Sequence, residues 1–315
     1  MKPFSYFNIN NIYPSSELTA ISFLPNTHYI ITGSNIGTIT IHNINYQTKT
    51  YSLHSQQSNA HSSSILSFCI PPLQHNNNTF LSCGADFKIK IWNISSSEIT
   101  LIDTIPSHQG NINKIIPFHL NNTEGVISCS FDCSIKVWKL EHNKYKEDIT
   151  LKEYGRVWCI LQLNHSNSNI LLSSCGSGML CLWDLVSYQR MSIIRDIYTV
   201  CRNGLIELSN GYVAVSLSSH TGINIIDPVC GTIIKEIKDD KCITGCSSLC
   251  MLNDEMFIYA YDKKVVFIST DSSNNIECVV DNKDILGYSG CISIDKGKCV
   301  IISNIYHGVS VYVFN

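Results

Sequence analysis

Short runs in which apolar and polar residues alternate follow one another along nearly the whole chain, and the clearest is Leu81–Asn93, LSCGADFKIKIWN. A short apolar segment leads into a tight turn carrying Asp86, and Ile89-Lys90-Ile91 then alternates up to Trp92. Period two sends successive side chains to opposite sides, so the stretch predicts two strands joined by a turn, with one face buried. The pattern returns at Ile127–Lys139, ISCSFDCSIKVWK, with Asp132 in the turn and Trp138 near the end of the second strand. Strong helical periodicity is absent. Gly, Asn, Ser and Asp punctuate the runs instead, as between strands.

Extending the pattern in both directions gives seven units. Their aligned positions are His42, Trp92, Trp138, Trp183, Ile226, Ile268 and Tyr312, spaced between 42 and 50 residues apart. Each unit has three clear strands and a weaker fourth, and a unit of that size cannot cover its own apolar faces. The prediction is an all-β, seven-bladed β-propeller of four-stranded antiparallel sheets, one domain over residues 1–315. The chain reaches Asn315 just after the third strand of the seventh unit. Phe4–Ile9 has the length and pattern of the missing fourth strand, so pairing of the two ends is expected to close the ring. An open solenoid would leave two apolar end faces for which the sequence offers no caps.

Composition narrows the setting. The 315 residues are 44% apolar with a formal charge of −3, enough for a large core and no reason to expect nucleic acid as a partner. No run is long and apolar enough for a membrane span, and MKPFSYFNINN is unlike a signal peptide. Fifteen cysteines, an odd number scattered through strand-like segments, read as reduced and buried, which points to the cytoplasm or nucleus. Cys242, Cys246 and Cys250 are spaced by four, too far apart along a strand for one metal ion, and read as core or channel lining. Mixed-sign runs at Lys136–Lys152 and Lys235–Lys241 read as solvated loops.

LSCGADFKIKIWN with His61 before it, ISCSFDCSIKVWK with His108 before it, and LLSSCGSGMLCLWDL at Leu171–Leu185 resemble the WD-repeat (WD40) family. The resemblance spans nearly the whole chain, with its strong motifs in the second to fourth units. It implies a rigid platform for other proteins and, within a blade, a hydrogen-bonded set of His, Ser, Asp and Trp. The matching residues are His61, Ser82, Asp86 and Trp92, then His108, Ser128, Asp132 and Trp138. The chemistry is consistent: Asp fixes the imidazole, the imidazole pairs with the hydroxyl, and the hydroxyl accepts the indole N–H. The fourth unit keeps Trp183 but has Ser177 at the Asp place and Tyr154-Gly155 near the His place. The fifth to seventh units lack the set and are expected to rest on apolar packing.

The resemblance also implies a docking face. Carried onto this chain, its partner-binding positions include Arg156, Trp158, Phe131, Tyr261, Leu66 and Asn113, with the aromatic residues and Arg as the types that most often dominate binding. The expected function is a non-catalytic scaffold or adaptor, a monomer by itself and a subunit of a hetero-complex, binding a protein or peptide without cofactor or metal. Two rivals predict other features. A propeller-type ester hydrolase or metal enzyme needs His and acidic residues converging at the channel mouth, and a single exposed Ser rather than two matching sets that each include a Trp. A phosphoinositide or nucleic-acid binder needs a one-signed basic patch.

Overall fold

Both ends of the chain meet in one sheet. The backbone of Ser5–Ile9 pairs antiparallel with Gly308–Val313, in continuous register from Ser5 opposite Val313 to Ile9 opposite Val309. The computed structural model describes residues 5–314, apart from 10–15, 26, 72–77, 96–97, 165–168, 198–201, 218–221, 239–246, 262–263, 271–275, 282–287, 295–298 and 305–307. For 5–9, 247, 261, 276–281, 288–289 and 303–304 it describes the backbone alone. Phe4, Cys242 and Cys246 lie outside the described residues.

Among the described residues the strands form seven four-stranded antiparallel sheets. Blade one is Leu18–Phe23, Tyr29–Ser34, Ile39–Asn45 and Thr50–Gln57. Blade two is Ile65–Cys69, Thr79–Gly84, Lys88–Ile94 and Ile99–Pro106. Blade three is Ile112–Leu120, Thr123–Ser130, Ser134–Glu141 and Lys144–Lys152. Blade four is Val157–Gln162, Ile170–Cys175, Met179–Asp184 and Gln189–Arg195. Blades five and six start at Leu205 and Ser247 and end at Lys238 and Asp281. Blade seven takes Tyr288–Ile294, Cys299–Asn304 and Gly308–Val313, with Ser5–Ile9 as its outer strand. The first strand of each blade touches the first strands of its two neighbours, and blade seven touches blade one, so the ring closes. No helix among the described residues is long and apolar enough to cross a membrane.

The core is divided by the blades. One apolar cluster fills each of the seven gaps between neighbours, for instance Ile31, Ile41, Ile65, Phe80 and Trp92 between blades one and two. Ile89, Ile91, Ile115 and Trp138 fill the next gap. Tyr312 and Phe314 pack with Ile258 and Phe267 between blades six and seven, and Ile30, Ile301 and Val311 fill the gap between blades seven and one. This corrects the expectation of one buried face. The middle strands bury both, as Ile170–Cys175 does throughout, because each sheet is sandwiched by two others. Exposure is concentrated on outer strands such as Thr50–Gln57 and Thr232–Lys238.

The register of the units is marked physically. In blades one to six the pairing of the third with the fourth strand slips immediately before the aligned residue, at His42, Trp92, Trp138, Trp183, Ile226 and Ile268. The bulge therefore fixes the alignment even where the Trp is gone. In blades five to seven the substitutes are apolar or aromatic and buried: Ile226, Ile268 and Tyr312 are each fully covered.

Blade one departs differently. His42 is buried at 6% exposure, and neither ring nitrogen has a hydrogen-bond partner. Burial lowers its pKa from 6.5 to about 4. The unfolded chain binds a proton near pH 6.5 and the folded one only near pH 4, so stability is full above 6.5 and falls as the pH drops toward 4. His42 accounts for about 3 kcal/mol of that loss. Urea unfolding across this range is expected to show a shallower acid limb for His42→Phe; an unchanged limb would assign the sensitivity elsewhere.

Candidate functional site: the turn face of blades two to four

Three turns on one side of the ring share a construction. The residue after the Asp place adopts positive φ: Phe87 at 65°, Cys133 at 62° and Gly178 at 74°. Two of these carry side chains in a region that favours glycine, a local strain. The Asp side chains compensate by capping the turn. Asp86 accepts from the backbone N–H of Lys88 at 3.3 Å and Ser62 at 3.3 Å; Asp132 accepts from Ser134 at 3.0 Å and Gln109 at 3.0 Å.

Behind each turn runs a polar chain into the core. His61 Nδ1 lies 2.8 Å from the Asp86 carboxylate, its Nε2 lies 2.7 Å from Ser82 Oγ, and Trp92 Nε1 donates to the same Oγ at 2.7 Å. In blade three the corresponding distances are 2.9 Å for His108 to Asp132, 2.8 Å for His108 to Ser128 and 2.9 Å for Trp138 to Ser128. Proton counting is consistent: Nδ1–H donates to the carboxylate, Nε2 accepts the Ser O–H, and Ser Oγ accepts the indole N–H. Burial alone would raise the Asp86 carboxyl, but the hydrogen bond from His61 and those from the backbone donors hold it below the usual range. Asp132 is held lower still, by His108, Ser134 and Gln109 acting against burial. Ser82 and Ser128 are fully buried and already take an indole N–H, so neither hydroxyl can meet a substrate. The arrangement braces the turns.

Blade four corrects the sequence reading. The residue at the His place is Glu153, four before its strand start Val157, as His61 precedes Ile65 and His108 precedes Ile112 by four. Tyr154 is 60% exposed. Glu153 Oε1 accepts from Trp183 Nε1 at 2.9 Å and from Ser173 Oγ, and Trp183 Nε1 also reaches Ser173 Oγ at 3.0 Å. Arg190 pairs with Glu153 Oε2 at 3.3 Å and is sandwiched between the Tyr154 ring at 4.3 Å and the Trp183 ring at 4.4 Å. A carboxylate has replaced the imidazole, and an Arg from the outer strand balances its charge. The spacing of four was the available signal. Beside it, Cys181 donates to Cys175, which lowers the Cys175 thiol to about 6 and pushes Cys181 up.

On the surface over these chains, the Phe131 and Trp158 rings meet edge to face at 4.5 Å, with Arg156 over Phe131 at 5.4 Å. Arg156 is exposed, and Phe131 and Trp158 are half-buried. Gly176 lets the Trp158 edge approach, since a Cβ there would stand 3.4 Å from its Nε1. Leu66 is buried at 7% exposure and Asn113 at 1%; the Asn113 amide donates to the Val157 carbonyl of the next blade at 2.7 Å. Those two side chains are spent inside the ring. Tyr261 ends its strand opposite Ser247 and Lys264, and its side chain lies outside the described residues. Cys250 sits in the gap between blades six and seven, with its Sγ 2.8 Å from that of Cys291. The described cysteines are all free, with Cys230 exposed and Cys133 half-buried and the others buried.

Comparison with known proteins agrees with this geometry. The family described as "WD domain, G-beta repeat" matches residues 50–93, 99–139 and 146–184. No curated protein matches the chain in sequence. Among solved structures, the WD40 β-propeller domain of Doa1 superposes with a TM-score of 0.76 at 15% identity, covering 100% of this chain and 97% of that one. Propellers of this kind generally serve as platforms for protein interaction. The chain is thus a closed seven-bladed β-propeller that carries WD repeats at three matched positions, in blades one to four.

Proposed function

We propose that this propeller is a non-catalytic scaffold subunit, in the cytoplasm or nucleus, that docks a protein or peptide on the turn face of blades three and four. The observation that carries this reading is the Phe131–Trp158 pair with exposed Arg156 above it. An aromatic pair beside a guanidinium combines apolar area with a directional charge, the residue types that dominate binding energy at interfaces. The braced turns beneath hold the three side chains at fixed distances, so a partner meets a preordered surface and the ordering cost of association is low.

Affinity capture from the native source, comparing wild type with Arg156→Ala and Trp158→Ala, tests the reading. Each variant is expected to retain about a tenth or less of the co-purifying chains, while thermal stability stays within about 1 kcal/mol. Unchanged capture would reject the site. A stability loss of several kcal/mol for Trp158→Ala, on the scale of an emptied aromatic core position, would assign that ring to packing instead.

A further inference from the structure

Blade four differs from blades two and three at three positions that converge on one spot. The His place holds Glu153, where the others have His61 and His108. The last residue of the second strand is Cys175, where the others have Gly84 and Ser130. The position two before the Trp is Cys181, where the others have Lys90 and Lys136. In blades two and three those lysines lie over the Trp rings, at 5.9 Å and 5.6 Å. In blade four Arg190 takes over that role from the fourth strand at 4.4 Å, which frees position 181 for a thiol. The outcome is one carboxylate oxygen and two thiol sulfurs, all within 4.8 Å of one another and all three residues buried.

We propose that Glu153, Cys175 and Cys181 bind one thiophilic divalent cation of the zinc class. Two sulfurs and a carboxylate oxygen are the donors such a cation selects, and separations of this size suit a tetrahedral centre. Ser177 is exposed in the turn with its Oγ 2.9 Å from Cys175 Sγ, so one donor of the set lies within a single hydroxyl of the surface. The charges close. In the bound state both sulfurs are thiolates, any proton they carried having passed to water; two thiolates, one carboxylate and the dication sum to −1, which Arg190 beside Glu153 offsets. Glu153 and Cys175 are 22 residues apart and Cys175 and Cys181 six, unlike the close Cys pairs by which structural zinc sites are usually read.

The test is titration of the reduced, demetallated full chain with Zn2+, read by competition with a chromophoric chelator and by Trp fluorescence. The expected result is one tight equivalent that perturbs Trp183, with affinity at least about tenfold lower in Glu153→Gln and a further drop in Cys175→Ser/Cys181→Ser. Because the double variant removes two buried side chains, X-ray absorption at the zinc edge of the wild-type complex provides a second readout, with two sulfur ligands expected. Absence of a tight equivalent, wild-type affinity in both variants, or an edge showing other than two sulfurs would each overturn the site.

Discussion

Glu153→Ala is expected to lower the stability of the metal-free protein by about 3 kcal/mol, among the largest single effects in blade four. The change leaves Arg190 without its carboxylate and takes an acceptor from both Trp183 Nε1 and Ser173 Oγ. Arg190 keeps about a fifth of its side chain in solvent, which places the cost at the lower end of the range for breaking a buried pair. Glu153→Gln retains an oxygen for the indole and the hydroxyl, so it is expected to cost only about 1 kcal/mol. Urea unfolding with chelator present measures both. Equal losses in the two variants would show that shape rather than charge sets the stability of this blade.

His61→Ala is expected to cost a similar amount, about 3 kcal/mol, because it strands the Asp86 carboxylate and one bond of Ser82. Asp86 has only 4% of its side chain exposed, so the orphaned charge cannot recover its hydration. The double change His61→Ala/Asp86→Ala is then expected to cost at least about 1 kcal/mol less than the sum of the singles, since neither partner is left alone. His61→Ala with His108→Ala is expected to be additive, as the two sets bond within their own blades. Loss of additivity between blades, or full additivity within one, would contradict the geometry. The pH dependence has a defined sign. Both carboxyls are held below their usual range, so their contribution is complete above about pH 4 and fades as the pH falls further.

The ring and its closing strand are legible in the chain because each blade is a local hairpin series. Its strands follow one another in order, and alternation with turn residues marks each one. The polar sets of blades two and three are legible for the same reason, as their four residue types recur at matching offsets. Glu153 escapes that reading because a carboxylate in the imidazole place looks like a lost motif. Only the offset of four from Val157 identifies it, and that offset needs the strand start. Burial on both faces is also hidden, since lysines such as Lys90 mimic an outward position. Its ammonium instead turns back to the Ala60 carbonyl and lies over Trp92. Leu66 and Asn113 show the same limit: a position in a repeat is visible in sequence, while the neighbour that covers it belongs to another blade.

The pairing of Ser5–Ile9 with Gly308–Val313 sets the order of assembly. During synthesis the early strand emerges almost a full chain length before its mate exists. Blades one to six can form by hairpin steps on the ribosome, whereas Ser5–Ile9 stays unpaired, and one face of blade one uncovered, until Gly308–Val313 has been made. The protein is therefore most exposed to misassociation before the ring closes, and a holdase that shields the unpaired strand would raise its yield without altering its native stability.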